Sequence, residues 1–317
     1  MKAIQLIRHD IGALAPDVGV ILTETDTPVP GPGNLLVKIR ASAIQPSDIL
    51  NATGGFPYTT FPRVPGRDYA GIIVSGPRAG EDVYGTSGST HAFTCDGFHA
   101  EYCVVSEDAV ARKPRNMSYA QAACIGVPFT TAKWALRKAC PKGSETVLII
   151  GAFGSVGSAA VQLAKTIGCR VLTAGRNDVA DINTTKDTTL AGIESLTLGR
   201  GIDVVIDTVG IPTLTQAAVQ KLTHGGRIAI IAAHGEANLD VNMKDFYRQE
   251  KTLIGCNSLS YSVQSMAQEM ADLTAEFENG RLAPPREELW SAVSLEEAVD
   301  IYKEGKRSAG KFVITMG

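Results

Sequence analysis

The sequence lacks the short motifs by which cysteine and histidine usually bind metals or carry out redox chemistry. The six cysteines include no CxxC pair and are scattered along the chain: Cys95, Cys103, Cys124, Cys140, Cys169 and Cys256. The five histidines include no HExxH or HxxxH spacing: His9, His91, His99, His224 and His234. Zinc knuckles, dithiol redox sites and histidine-built metal sites are therefore not expected. We expect the cysteines to be buried free thiols, because unpaired cysteine commonly packs as a small apolar residue.

Long hydrophobic runs and an excess of one charge are also missing. The net charge is −3 and the pI is about 6.0, which gives no general field for attracting nucleic acid or anionic lipid. No window approaches the roughly 18 apolar residues of a spanning helix, and the start MKAIQLIRHD lacks the apolar core of a signal peptide. We expect a cytoplasmic protein with neither a nucleic-acid nor a membrane partner.

Two domains are expected, because 317 residues exceed the roughly 100–200 residues of one ordinary domain. Residues 1–122 are rich in short β-like runs broken by Gly and Pro, such as LLVKIRASAI and AEYCVV, which indicates an all-β barrel or sandwich. From Ser118 the short β-like runs give way to the Ala-rich, helix-forming segments YAQAACIG and FTTAKWALRKA. We therefore place a domain boundary after residue 122.

The second half of the chain alternates between buried strands and helices. TVLII at 146–150 is fully apolar, and CRVLTAG, GIDVVIDTVG and GGRIAIIAA are further apolar runs that end in small residues, with helical stretches between some of them. This alternation is typical of an α/β fold with a doubly wound parallel sheet. The C-terminal segment predicts a helix capped by Ser294, then a turn and a last strand.

The turn GAFGSVG lies between a predicted strand and a predicted helix. Gly151 permits a tight exit from the strand, Gly154 lets backbone amides approach a pyrophosphate, and Gly157 lets the helix pack closely. Nucleotide binding is favoured over the alternative, in which the glycines serve only the turn and its packing. The expected cofactor-binding residues of this turn are Gly151, Phe153, Gly154, Ser155, Val156 and Gly157.

The next strand ends in Gly175-Arg176-Asn177, where NAD-selective sites usually place an acid for the ribose 2′-hydroxyl. An arginine cannot accept from a hydroxyl but pairs with a 2′-phosphate, so NADPH is the expected cofactor. Asp178 is a rival acid, one or two positions late. A solvated surface arginine remains the structural alternative.

As a whole the chain resembles the medium-chain dehydrogenase/reductase superfamily, and within it the zinc-independent quinone oxidoreductase and enoyl reductase branch. The segments that carry the resemblance are ASAIQPSDIL, PGRDYAG, EDVYG, GFHAEYCVV, GVPFTTAKWAL, TVLIIGAFGSVGSAAVQLAK, RGIDVVIDTVG, GGRIAI and SLEEAVDIYKEGKRSAGKFVI. The resemblance implies a GroES-like β-barrel substrate domain at 1–122, completed by 277–317, beside a Rossmann NADP-binding domain at 123–276. It also implies an active site in the cleft between them.

Zinc-dependent members of this superfamily carry a cysteine where this chain has Gln45 and a histidine where it has Arg67. A neutral amide and a permanent cation cannot complete a thiolate and imidazole site, so no catalytic zinc is expected. The structural zinc lobe needs four clustered cysteines, and only Cys95 and Cys103 lie in that region. Without a Lewis acid, the expected substrate is a small apolar or aromatic electrophile, such as an enone or a quinone.

By position in the resemblance, four residues are expected at the catalytic site. Gln45 and Ser47 would face the nicotinamide and the substrate, and Asp48 would hold the loop or cofactor in register. Tyr69 would donate to the substrate oxygen or return a proton. The alternatives are that Ser47 and Asp48 cap a turn and that Tyr69 is a packed aromatic.

Other positions follow from the same resemblance. Thr131 would contact the nicotinamide side of the cofactor, and Lys311 is a further cofactor-binding candidate. Arg67 and Asp68 are expected to form a salt-bridged or hydrogen-bonded wall near the cleft. Aromatic side chains suit a flat apolar acceptor or pack the domain cleft: Phe56, Tyr58, Phe61 and Tyr261.

The chain departs from the family pattern after the second Rossmann strand, where a full helix is usual. Gly175-Arg176-Asn177 runs almost directly into VADINTTKD, so that helix is expected to be deleted and the adenosine end of the cofactor to be exposed. The deletion keeps open a second function, that of a non-redox nucleotide-sensing or auxiliary, cyclase-like protein on this fold. A homodimer is expected through the segment TLIGCNSL at 252–259, because superfamily relatives commonly pair their Rossmann edge strands.

Overall fold

The computed structural model describes residues 1–8, 18–233, 235, 237–305 and 310–317. His9, His234 and the turn predicted at 306–309 lie outside these residues. The chain divides into two compact units, one formed by 1–127 and 259–317 and the other by 128–258. No helix of the described residues is long and apolar enough to cross a membrane.

Strands predominate in the first unit, whereas strands and helices alternate in the second. The strands are β1 Lys2–Arg8, β2 Val18–Glu24, β3 Asn34–Ile44, β4 Asp68–Ile73, β5 Asp82–Thr86, β6 Tyr102–Ser106, β7 Ala111–Arg112, β8 Thr146–Ile150, β9 Arg170–Gly175, β10 Ile182–Asn183, β11 Ile202–Asp207, β12 Leu222–Ile230, β13 Thr252–Gly255, β14 Ser291–Val293 and β15 Phe312–Thr315. The helices are α1 Pro46–Ala52, α2 Tyr119–Ala123, α3 Gly126–Ala139, α4 Ser155–Thr166, α5 Gly192–Leu196, α6 Pro212–Gln220, α7 Met243–Arg248, α8 Val263–Glu278 and α9 Leu295–Glu304.

The first unit is built on a seven-stranded sheet with strand order β14-β15-β3-β4-β5-β7 and β6 paired to β3. Two strands share one side of β3: β6 pairs with the first half of β3, and β15 pairs with its second half. The register of β3 against β4 shifts between Ile39 and Ala41, and such a bulge increases local bending and twist. The predicted strands LLVKIRASAI, AGIIVSG, EDVYG and AEYCVV are all present.

The compact units divide at 127/128 and 258/259, whereas the residue pattern predicts a boundary after residue 122 and the family resemblance implies one after residue 276. Helix α8 belongs to the first unit because it packs against β5 and β7. The Tyr84 hydroxyl donates to the Met270 carbonyl oxygen over 2.7 Å, and Arg112 pairs with Glu278 at 2.9 Å. These contacts join residues that are far apart in sequence, so the local residue pattern does not predict them.

The second unit contains a six-stranded parallel sheet with strand order β10-β9-β8-β11-β12-β13. The predicted doubly wound sheet is therefore confirmed. All five side chains of β8 are buried, as its apolar run predicts. The order reverses between β8 and β11, and ligands of such sheets bind outside the carboxyl ends of the strands at this switch point.

The helix expected to be missing after β9 is indeed absent from this connection, which the structure describes in full. Residues 176–181 join β9 to β10 without a helix. A parallel strand can follow so closely because β10 pairs only with Ala174 and Gly175, the last residues of β9. The Asp181 carboxylate accepts from the backbone N–H and the hydroxyl of Thr173, both over 2.7 Å, which fixes the connection to the sheet.

Candidate functional site

The glycine-rich turn of the second unit joins β8 to α4. Gly151 has a φ of 77°, in the left-handed region that favours glycine. A Cβ at Gly157 would lie 2.0 Å from the Gly151 carbonyl oxygen, so α4 approaches the turn at a distance that only glycine allows. A Cβ at Gly154 would meet only that oxygen, at 3.2 Å, so the backbone there is open on its outer side.

Helix α4 presents its N-terminus at this turn. Gly154 is its N-cap residue, and the N–H groups of 155–157 have no partner inside the helix. Together with the partial positive charge of the helix end, these donors favour a phosphate. Phe153 stands beside them, 43% exposed, and covers Gly175 so closely that a Cβ there would lie 2.9 Å from its ring.

The end of β9 carries an unpaired cation. Arg176 and Asn177 are exposed, and the Arg176 guanidinium has no hydrogen bond or ion pair with any described residue. Asp178, the rival acid for a ribose hydroxyl, is already engaged. Its carboxylate accepts from Asn183 over 2.6 Å and pairs with Lys186 at 2.5 Å, and the Lys186 hydrogen bond lowers the pKa of Asp178. Arg176 therefore offers an unengaged positive charge beside Gly175.

Thr131 supplies a further polar group to the second unit. Its side chain is 7% exposed, and its Oγ1 has no hydrogen-bond partner among the described residues. A buried hydroxyl without a partner is costly, and this orphan suits a site that a ligand completes. The open glycine turn and the free N–H groups fit the pyrophosphate of a nicotinamide dinucleotide, and the contact of Thr131 with the nicotinamide side stays a prediction.

In the first unit, the loop Gln45-Pro46-Ser47-Asp48 begins helix α1. The Gln45 backbone N–H donates to Asp48 Oδ2 over 2.7 Å, so the carboxylate caps its own helix. The Gln45 side-chain amide donates to Asp68 Oδ2 over 2.9 Å. Ser47 is partly exposed, whereas Gln45 and Asp48 are buried. The three predicted residues are thus brought together, and Ser47 is the one with access to solvent.

Asp48 carries a buried carboxyl group. It is 1% exposed, and its Oδ1 has no hydrogen-bond partner among the described residues. Burial raises the pKa of Asp48 to about 7, against the opposing effects of the Gln45 N–H and the Arg67 charge. The group therefore titrates in the physiological range.

The triplet Arg67-Asp68-Tyr69 contributes two of its side chains to this cluster. Asp68 accepts from the Val127 backbone N–H over 2.8 Å as well as from Gln45, and burial raises the pKa of Asp68 to about 6. Arg67 donates to the hydroxyls of Ser47 and Ser87, over 3.1 and 2.9 Å. The expected wall of Arg67 and Asp68 is thus hydrogen-bonded to neighbours.

Tyr69 is placed elsewhere. Successive residues of a strand point to opposite faces, so Tyr69 turns into the core of the first unit while Asp68 faces the cluster. Its ring is 1% exposed and lies 4.3 Å from that of Phe98, centre to centre, and its hydroxyl has no partner among the described residues. Burial raises its pKa. The packed-aromatic alternative describes this placement, and Tyr69 is not retained as a catalytic candidate.

Lys311 lies in the first unit, directly before β15, and is partly buried. Burial lowers the pKa of Lys311, opposed by the nearby Cys124 thiol. Burial also raises the pKa of Cys124 to about 12, so this thiol stays protonated. The Lys311 ammonium group has no hydrogen-bond partner among the described residues, and its role toward a cofactor stays a prediction.

Aromatic rings line the neighbourhood of Arg67. Phe56, Tyr58 and Phe93 form a cluster with ring centres 5.2–5.9 Å apart. Phe93 is fully buried and Tyr58 is 44% exposed, so the cluster reaches from the core to the surface. Phe61 packs instead on the core formed by β1, β2 and α9. An accessible aromatic surface therefore lies near Ser47 and Arg67, as a flat apolar acceptor requires.

The donor set does not fit zinc. Gln45 offers a neutral amide and Arg67 a permanent cation, and the Arg67 N–H groups are directed at serine hydroxyls. Among the described residues, no three His, Cys, Asp or Glu side chains are grouped so as to hold a metal ion. All six cysteines are free, as expected, but Cys95 and Cys140 are exposed, so the expectation of burial is wrong for these two.

Ser87 is a site residue that the sequence does not single out. It follows β5 in a loop with no motif, and it enters the site only because β5 pairs with β4, which brings it to Arg67. The PGRDYAG motif predicts salt-bridge or hydrogen-bond partners for Arg67 but does not identify Ser87 as one of them.

The raised pKa of Asp48 predicts a pH-dependent stability. The Asp48 carboxyl binds its proton more tightly in the folded chain than in the unfolded chain. The stability that this group contributes is therefore fully present below about pH 4 and is lost as the pH rises through about 7. Asp48→Asn should therefore gain stability relative to wild type by as much as about 3 kcal/mol between pH 5 and pH 8. Urea unfolding at the two pH values measures this, with the exposed Asp26→Asn as the control. If the difference in free energy of unfolding between Asp48→Asn and wild type did not change with pH, the raised pKa of Asp48 would be contradicted.

Comparison with known proteins places these two units in one family. Residues 31–115 match the model of the alcohol dehydrogenase GroES-like domain, and residues 155–276 match that of zinc-binding dehydrogenases. A zinc-type alcohol dehydrogenase-like protein of Schizosaccharomyces pombe is 43% identical over 321 residues, covering 100% of this chain and 97% of the relative. Human quinone oxidoreductase is 28% identical over 320 residues, covering 95% and 94%.

The fold comparison agrees. The crystal structure of an alcohol dehydrogenase superfamily protein from Novosphingobium aromaticivorans superposes with a TM-score of 0.82 at 25% identity, covering both chains completely. The chain belongs to the medium-chain dehydrogenase/reductase superfamily of nicotinamide-dependent oxidoreductases, in its quinone oxidoreductase-like branch, with a GroES-like domain and a Rossmann domain.

Proposed function

We propose that the protein is an NADPH-dependent, zinc-independent reductase of activated C=C bonds or quinones. The observation that carries the cofactor choice is the unpaired Arg176 at the end of β9, beside an Asp178 that Lys186 and Asn183 occupy. A free guanidinium there attracts a 2′-phosphate, whereas Asp178, the acid nearest to the end of β9 in the described chain, is already engaged and not free for the 2′-hydroxyl of NADH.

Bound NADPH would supply a hydride, which an enone accepts at its β-carbon and a quinone accepts on its ring system; one proton from solvent then completes the reduction, and NADP⁺ is left. The chain then has to meet the negative charge that develops on the acceptor oxygen. Ser47 is the partly exposed hydroxyl of the Gln45–Asp48 loop, and Gln45 and Asp48 hold this loop in place through their hydrogen bonds. The residues that the structure describes include no metal-ligand set to polarise an unactivated carbonyl, so acceptors that are already electrophilic are favoured.

The proposal is tested by cofactor binding and by turnover. NADPH should quench the tryptophan fluorescence, and its absorbance should then fall when quinones or enones are added as a panel. The absence of binding at millimolar NADPH would refute the cofactor assignment. Oxidation of NADH in preference to NADPH would refute the role of Arg176.

A second function is favoured by one observation, the direct connection between β9 and β10. The missing helix removes cover from the adenosine end of the cofactor and lowers the binding energy available to hold it. A non-redox nucleotide-sensing or auxiliary protein would tolerate this. Tight NADPH binding without oxidation by any acceptor of the panel would favour this second function.

We also propose a homodimer formed through β13. This strand is the last in the parallel sheet of the second unit, and three of its four residues are exposed. A free edge offers unpaired N–H and carbonyl groups to a second copy. Leu253→Lys should weaken the dimer because it places charge on this edge, and light scattering should show smaller particles. A wild-type particle of 33.5 kDa at working concentration would refute the dimer.

A further inference from the structure

Arg67 is a buried cation whose surroundings hold it in one orientation. Arg67 is only 4% exposed. The Nε–H donates to Ser87 Oγ over 2.9 Å, an Nη1–H donates to Ser47 Oγ over 3.1 Å, and the guanidinium carbon lies 5.6 Å from the centre of the Phe93 ring. Burying a charge is costly, so a residue that serves only as filler would be apolar.

Ser87 fixes the inner end of this arrangement. Its backbone N–H donates to the Arg67 carbonyl oxygen over 2.7 Å, and its hydroxyl donates to the Gly88 carbonyl oxygen over 3.0 Å. The Ser87 oxygen is therefore left to accept from the arginine. Both hydroxyl roles are assigned, and the guanidinium plane is held in place.

Ser47 lies at the outer end, and its hydroxyl differs in one respect. Arginine has only donors, so Ser47 Oγ must be the acceptor in their contact. The single Ser47 proton is then free to point elsewhere, and it has no acceptor among the described residues. Ser47 is also partly exposed, unlike Arg67.

We propose that Arg67 is a positioning residue that directs the Ser47 hydroxyl proton outward and polarises it as a hydrogen-bond donor to the carbonyl oxygen of the acceptor. The inference rests on the proposed reductase function. Ser47 keeps its proton throughout and contributes a hydrogen bond that strengthens as charge develops on the oxygen. The cation thus takes over, through a hydroxyl, part of the electrostatic role that a metal has in zinc-dependent relatives.

The charges around Arg67 are consistent with this role. Burial lowers the pKa of Arg67, and the carboxylates of Asp48 and Asp68 act in the opposite direction. A guanidinium remains charged in proteins, and its planar fork reaches both serine hydroxyls at once. A lysine at this position would keep the charge but would reach both hydroxyls less well, because its ammonium is a single point on a flexible stem.

A double-mutant cycle tests the coupling between the two residues. Ser47→Ala and Arg67→Lys should each lower kcat for acceptor reduction about tenfold while the Kd for NADPH stays unchanged, because each removes an interaction made in the transition state. Adding Arg67→Lys to Ser47→Ala should lower kcat by less than about twofold more. Arg63→Lys, a change at another largely buried arginine of the same unit, is the control. Losses that multiply in the double variant would overturn the proposal.

A second measurement does not depend on turnover. Ser47→Cys places a thiol beside Arg67, and a neighbouring guanidinium stabilises the thiolate. Its pKa, taken from iodoacetamide alkylation rates and mass spectrometry of the peptide containing position 47, should fall about one unit or more below its value in Ser47→Cys/Arg67→Gln. The same thiol in the urea-unfolded chain is the reference if that double variant does not fold. Equal pKa values would overturn the contact, whereas an inactive wild type would refute the reductase function and leave this result standing.

Discussion

Gly157→Ala is expected to abolish most NADPH binding and to destabilise the second unit. The added Cβ would lie 2.0 Å from the Gly151 carbonyl oxygen and 2.9 Å from Ala152 Cα. Both neighbours are backbone, so no side-chain rotation relieves the overlap, and α4 must move away from the turn. Overpacking of this kind costs about 1–3 kcal/mol of stability. Loss of one or two charge-assisted hydrogen bonds to the phosphates, each about 1.5–3 kcal/mol, weakens binding about a hundredfold.

The matched control is Gly192→Ala, at the start of α5 in the same unit. A Cβ there would meet its nearest neighbour, Asp187 Oδ2, at 3.5 Å, an ordinary contact. Thermal unfolding and fluorescence titration with NADPH compare the two variants. If Gly157→Ala bound NADPH as well as Gly192→Ala does, the glycine turn would not be the phosphate site.

Arg176→Ala is expected to weaken NADPH binding about 10-fold to 100-fold and to leave NADH binding unchanged. The guanidinium would make charge-assisted hydrogen bonds to the 2′-phosphate, and such bonds contribute about 1.5–3 kcal/mol. NADH lacks the phosphate, so it loses nothing. The ratio of the two dissociation constants, measured by fluorescence titration, reports on this one interaction.

Lys165→Ala is the control for this prediction. It removes one exposed positive charge from the last turn of α4, at the end of that helix opposite the glycine turn. A general electrostatic effect would weaken NADPH binding equally in both variants. An unchanged NADPH affinity in Arg176→Ala would mean that Arg176 is a solvated surface arginine.

The second unit could be predicted closely from the sequence because its signals are local. TVLII is apolar without interruption, and GAFGSVG follows it directly. The connection after Gly175 is shorter in the sequence than one that contains the usual helix. Each of these depends on neighbours in the chain. The unit boundary near residue 258 was out of reach, since it depends on Tyr84 meeting Met270, 186 residues away.

The site in the first unit could be predicted only in part. The motif PGRDYAG locates Arg67, Asp68 and Tyr69 together but does not say which strand face meets the core. The pairing of β4 within the sheet sends Tyr69 inward and Asp68 toward Gln45. Ser87 could not be found at all, because its loop carries no motif and its contact with Arg67 spans 20 residues.

The central claim is that the chain transfers hydride from NADPH to an electrophilic acceptor. The most direct measurement uses NADPH deuterated at C4 with an enone and follows the product by mass spectrometry. We predict deuterium at the β-carbon of the saturated product, together with consumption of one NADPH per product. Tight NADPH binding with no deuterated product and no NADPH oxidation, with quinones as well as enones, would contradict the claim.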